Sequence, residues 1–117
     1  MSTAPPPFSM NHEQAQRLVS YIQTYRRYAW EYQAPSRERN ELIRLLQTVQ
    51  GKLMSSMDQR NEYIWLPLAV AETAALQTMV NDLFALYGME PASDDRNRTI
   101  ADLILLKNYL KRTLACR

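Results

Sequence analysis

The sequence predicts an all-α fold: a four-helix bundle built from two tandem antiparallel helical hairpins, with short extended pieces before the first and third helices. Three observations carry that expectation. The chain has only two glycines in 117 residues and few β-branched residues against many Leu, Ala, Gln, Glu and Arg, a composition that favours helix. Apolar residues recur three and four apart in four separate stretches. The third observation is a repeat. Slid by 57 positions, Ser36, Arg39, Asn40, Ile43, Leu46 and Leu53 fall on Ser93, Arg96, Asn97, Ile100, Leu103 and Leu110, six identities in 18 positions where unrelated sequence gives about one.

Residues 1–7 contain Pro5-Pro6-Pro7 and read as a disordered tail, because consecutive prolines stay out of helices. Residues 8–117 then form a single helical domain, with pseudo-repeats 8–57 and 66–115. Phe8-Ser9-Met10 suits a short extended piece. Asn11 is a good N-cap, and Gln14 can complete a capping box. The first helix runs from about His12 to Tyr32, with Leu18, Ile22, Tyr25, Ala29 and Tyr32 as its stripe. Pro35 ends it, since the residue before a proline avoids the helical region.

Ser36 caps the second helix, about Arg37 to Ser55. Its apolar face is Leu42, Ile43, Leu46, Val49, Leu53 and Met57. Gly51 inside it suggests close approach by another helix. Ser55 to Glu62 is polar and links the halves. Tyr63 to Leu68 reads as extended, because Pro67 forbids a helix interior. It corresponds to Phe8-Ser9-Met10, and the two pieces can pair as an antiparallel ribbon. A kinked continuous helix from Asn61 is the competing reading. The third helix runs from about Ala69 to Tyr87, with Leu76, Met79, Val80, Leu83, Leu86 and Tyr87 as its stripe, Gly88 as a natural C′ residue and Pro91 as a natural stop. Ser93 caps the fourth, about Asp94 to Leu114. Asp94 and Asp95 begin it and Lys107, Lys111 and Arg112 lie toward its end, the charge order that the helix dipole favours.

The residues that could carry function are few. Arg39-Asn40 and Arg96-Asn97 form the repeated polar pair. The structural expectation is that each Arg reaches the exposed carbonyls of the preceding helix, and the alternative is an anion site at a helix start. Arg26, Arg27 and Trp30 project away from the stripe of the first helix, and Trp and Arg dominate binding hot spots. In the fourth helix, Leu105 and Tyr109 fall on a second flank beside the core positions Ile100, Leu103, Leu106, Leu110 and Leu114. A helix apolar on two flanks is usually buried on both, which implies self-association, most simply as a homodimer.

Catalytic chemistry has little footing. His12 is the only histidine and Cys116 the only cysteine, and no Cys/His cluster or Glu-x-x-His pair suggests a metal. Glu13, Glu72, Asp82 and Asp102 are scattered over helices, where isolated carboxylates are usually solvated. No cofactor is expected. Residues 1–57 carry a net +3 and residues 58–117 a net −1, a tilt too small for a dedicated nucleic-acid binder. One thiol fits a reducing compartment, no secretion signal is visible, and no apolar run approaches the ~20 residues that span a bilayer. A cytoplasmic location follows.

The residues therefore point to a non-enzymatic interaction or accessory module that binds a protein partner and itself. The second reading is a nucleic-acid accessory subunit using Arg17, Arg26, Arg27, Arg37, Arg39 and Arg44. The third is a small-ligand-binding bundle.

Overall fold

The computed structural model describes residues 9–59 and 63–115. The expected tail, part of the link between halves, and Cys116 fall outside the described residues. In chain order the elements are β1 (Ser9–Met10), α1 (His12–Tyr32), α2 (Arg37–Met57), β2 (Ile64–Trp65), α3 (Val70–Gly88) and α4 (Asp94–Ala115). α1 packs along α2 and α3 along α4, and the two hairpins meet mainly where α2 lies on α3. The fold is the four-helix, two-hairpin bundle that periodicity predicts.

Three of the four helices, α1, α2 and α4, begin at a side-chain cap. Asn11 accepts from the Gln14 amide at 2.8 Å, and the Gln14 side chain accepts from the Asn11 amide at 3.0 Å. Ser36 Oγ accepts from the Arg39 amide at 3.0 Å, and Ser93 Oγ from the Arg96 amide at 3.1 Å. These bonds occupy amides that an isolated helix end leaves open. The N-cap of α3 is Ala69, whose side chain has no acceptor. Glu72 Oε1 instead accepts from the Ala69 amide at 2.7 Å.

The extended pieces do pair. β1 and β2 run antiparallel, with Ser9 opposite Trp65 and Met10 opposite Ile64. The kinked-helix alternative for residues 63–68 is therefore set aside. Met10, Ile64 and Leu66 are buried in the main core, so this ribbon is anchored by its side chains.

The core draws Ala15, Leu18, Ile22, Tyr25 and Ala29 from α1 and Leu46, Val49 and Leu53 from α2. From the second half it takes Ala75, Leu76, Met79, Val80 and Leu83 of α3, and Leu103, Leu106, Tyr109 and Leu110 of α4. Several expectations need correction. Tyr109 is only 4% exposed. It belongs to the main core with Leu106 and Leu110 instead of forming a second, exposed flank. Tyr32 is exposed, because it is the last residue of α1. Gly51 is exposed, and a Cβ built there meets nothing within 4 Å, so it admits no close helix. Gly88 has no positive φ and remains inside α3, which ends in a right-handed turn at Met89.

The two halves are alike but not identical in their packing. α2 sits close to α3, whereas α1 and α4 stand further apart. Arg17, Tyr21 and Asp102 fill the α1–α4 seam. The corresponding positions on the other side are Ala75, Met79 and Leu45, which are shorter or apolar. The two hairpins therefore meet differently at the two seams.

Candidate interaction surfaces

The C-terminal half of α1 carries a run of aromatic and basic residues, and α1 geometry sorts it. Tyr25 is fully buried, with its hydroxyl donating to Asp82 of α3 and accepting from Gln33 Nε2 at 3.3 Å. Tyr28 stacks between Tyr25 and Tyr32, with ring centroids 6.1 and 5.5 Å away. The ladder leads from core to surface along one face. Arg26 turns to α2, where Nη1 donates to Gln50 Oε1 at 2.9 Å. Its Nε is buried with no hydrogen-bond partner among the described residues. Arg27 is exposed.

Trp30 is 65% exposed, yet one face of its indole is used. The Arg39 guanidinium lies 4.5 Å from the ring centroid. Arg39 is itself only 8% exposed. Its Nε and Nη2 donate to Asn40 Oδ1 at 3.1 and 2.8 Å, and Nη1 makes longer bonds of 3.5 Å to the carbonyls of Trp30 and Gln33. A buried cation is thus solvated by neutral dipoles and a π face. Arg96 repeats this arrangement: Nε donates to Tyr87 O at 3.2 Å and Nη1 to Asn97 Oδ1 at 3.2 Å. Each arginine caps a carbonyl nine residues before it, at the end of the preceding helix.

An open groove of about 420 Å3 lies beside Arg39, lined by Gln33, Ala34, Ser36, Glu38, Leu42 and Thr78. Glu38 brings negative charge to it, and Arg39 already has the partners described above.

The carboxylates expected to be solvated are partly structural instead. Asp102 accepts from Arg17 at 2.8 and 3.1 Å and from the Tyr21 hydroxyl at 2.5 Å. Burial works to raise its pKa, but Arg17, Tyr21 and Arg98 outweigh burial and hold it below the usual aspartate value. Tyr21 is pushed up to about 12, by burial first and then by its bond to Asp102. Burial raises the Tyr25 pKa as well, and Asp82 adds to that effect. Glu72 is buried and accepts from Lys52 Nζ at 2.6 Å, while Lys52 also donates to Pro67 O at 3.2 Å. Lys52 and the Ala69 amide overcome the burial cost and depress the Glu72 pKa. A single sequence gave no sign of these pairs, because their members lie 20 to 85 positions apart.

On α4, Ile104 is 46% and Leu105 57% exposed. The matching positions of α2 are Gln47 and Thr48, so the same outer face is apolar in one hairpin and polar in the other. His12 is half-buried at the start of α1. Among the described residues there is no cluster of three His, Cys, Asp or Glu side chains that could hold a metal, and no helix long and apolar enough to cross a membrane. Of the six arginines suited to nucleic acid, Arg17 and Arg44 are in ion pairs, Arg26 bonds Gln50, and Arg39 is buried. Compared with protein-family models, curated proteins and solved structures, the chain matches none.

Proposed function

We propose that this chain is a cytoplasmic helical interaction module that presents helix faces to a protein partner and to a second copy of itself. The observation that carries this reading is the large side chains left in water around a closed core: Trp30 beside Arg27 on α1, and Ile104 with Leu105 on α4. Trp and Arg are the residues that most often dominate protein–protein binding. Contiguous exposed apolar surface is uncommon on proteins that work alone. The engagement of four of the six candidate arginines favours a protein partner over nucleic acid. The lone cysteine fits a reducing compartment.

The two hairpins are read as copies of one ancestral unit. In support, α2 and α4 start 57 positions apart and α1 and α3 start 58 apart. Both second helices open on a Ser cap, an Arg that bonds the carbonyl nine residues earlier, and an Asn that accepts from that Arg. Duplication supplies a stable scaffold, and divergence on outer faces such as Ile104/Leu105 against Gln47/Thr48 supplies the binding surface.

Photo-crosslinking in the host cell tests the partner reading. A photoreactive residue at position 27 should give a discrete protein adduct that the same residue at position 47, on the polar face of α2, does not. Identical patterns at the two positions, or no adduct at either, would overturn it.

A further inference from the structure

The outer face of α4 has an order that its own fold does not require. Asp94, Arg98, Ala101, Leu105, Asn108 and Arg112 are spaced alternately four and three apart, the repeat that forms one continuous seam along a helix. All six are exposed. Among the described residues, Asp94 and Arg112 make no ion pair, although Asp94 lies in the first turn and Arg112 in the last. Leu105 is the large apolar residue of the seam, and Ala101, one turn away, is its small one. Ile104 flanks them.

The seam is self-complementary in reverse. A second copy laid antiparallel, with a two-fold axis passing beside residue 103, brings Asp94 against Arg112 of the other copy at both ends. It places each Leu105 on the other copy's Ala101, large against small. It also sets Arg98, a donor, beside the Asn108 side-chain carbonyl, an acceptor. Charge, size and hydrogen-bonding capacity all match under one operation, which is the requirement for an isologous two-fold interface. A parallel pair in register would instead set Asp94 on Asp94, Arg112 on Arg112 and Leu105 on Leu105. α4 has 22 residues, about 33 Å of helix, so the seam extends along nearly the whole side of the bundle.

We infer that this face is a homodimer interface in which two α4 helices pack antiparallel about Leu105 and Ala101. The inference deepens the interaction-module reading and rests on it. Partner crosslinking at position 27 and self-association through α4 are read out separately, so either can fail alone.

Light scattering over a concentration series is the test, with circular dichroism as the check on folding. The wild-type chain should dimerise, and Leu105→Glu should be monomeric with unchanged helicity. Asp94→Arg and Arg112→Asp should each weaken self-association on the order of tenfold, because two attractive end pairs become repulsive. An equimolar mixture of these two variants should recover the dimer, since each supplies the charge the other lost. Ala101→Leu and Leu105→Ala should each weaken the dimer, and the double variant should restore it. A wild-type chain that stays monomeric at its highest soluble concentration sinks the inference. So does a dimer indifferent to Leu105→Glu, or charge variants that dimerise as the wild type does, which is the parallel outcome.

Discussion

Arg39 shows how a charge can be buried here without a carboxylate. Its planar group is spread over Asn40 Oδ1, two helix-end carbonyls and the indole of Trp30. Lysine, a compact ammonium, could not serve these groups at once. Glu72 and Asp102 follow the opposite rule, since each has a direct cation. Their pKa values are depressed in the fold against ordinary values of 4.5 and 3.8. As pH falls, the unfolded chain binds protons first. Both contributions to stability are therefore full above those ordinary values and are lost as pH drops through the lower folded-state values. Denaturant titrations across that range should show Glu72→Gln and Asp102→Asn with shallower acid limbs than wild type. An undiminished acid limb in the double variant would assign acid sensitivity to other carboxylates. Gly51 offers a gain. It is exposed, within a helix, at ordinary φ and with open space around it. Gly51→Ala should raise unfolding free energy by about 1 kcal/mol, measured by urea denaturation.

At the scale of elements, the starts of α2 and α4 are chemically the same device. Ser36→Ala and Ser93→Ala should each cost about 1 kcal/mol. Near-equal shifts in urea midpoint are expected, because both hydroxyls bond the amide three residues on at 3.0 to 3.1 Å. A cost confined to one of them would mean that the two helix starts do not do equal work. α3 begins differently. Ala69 cannot cap, so Glu72 turns back to its amide while also holding Lys52. One carboxylate therefore starts α3 and fastens it to α2. The β1–β2 ribbon adds a second tie between the halves, with Met10 and Ile64 sealing the same core.

For the whole molecule, the single core implies a single unfolding unit. Leu46 and Leu103 hold corresponding positions in the two hairpins, and both are fully buried. Leu46→Ala and Leu103→Ala should each cost about 2–5 kcal/mol and lower one shared transition. Circular dichroism and tryptophan fluorescence should report the same midpoint. A second, separate transition in either variant would show that the hairpins are stable on their own. Tyr25, Leu46, Leu76 and Leu103 all lie in that one buried core, while the halves differ at the α1–α4 seam and on the outer face of α4, where Ile104 and Leu105 stand in place of Gln47 and Thr48.

What the sequence determined alone was everything set by neighbours along the chain. Cap residues, proline stops and apolar spacing of three and four depend on a few adjacent positions, so four helices, two short loops and the Ser-x-x-Arg-Asn repeat were legible. The extended pieces were legible too, because Pro67 excludes helix locally. Burial at the edges of the stripes was not. Tyr109 turned inward and Tyr32 outward because neighbouring elements, absent from the local pattern, offered or withheld a surface. Glu72 and Asp102 looked like solvated helical carboxylates until folding brought Lys52 and Arg17 to them. Tertiary structure alone decided those pairings, since electrostatic attraction depends on distance in space and sequence separation carries no measure of it.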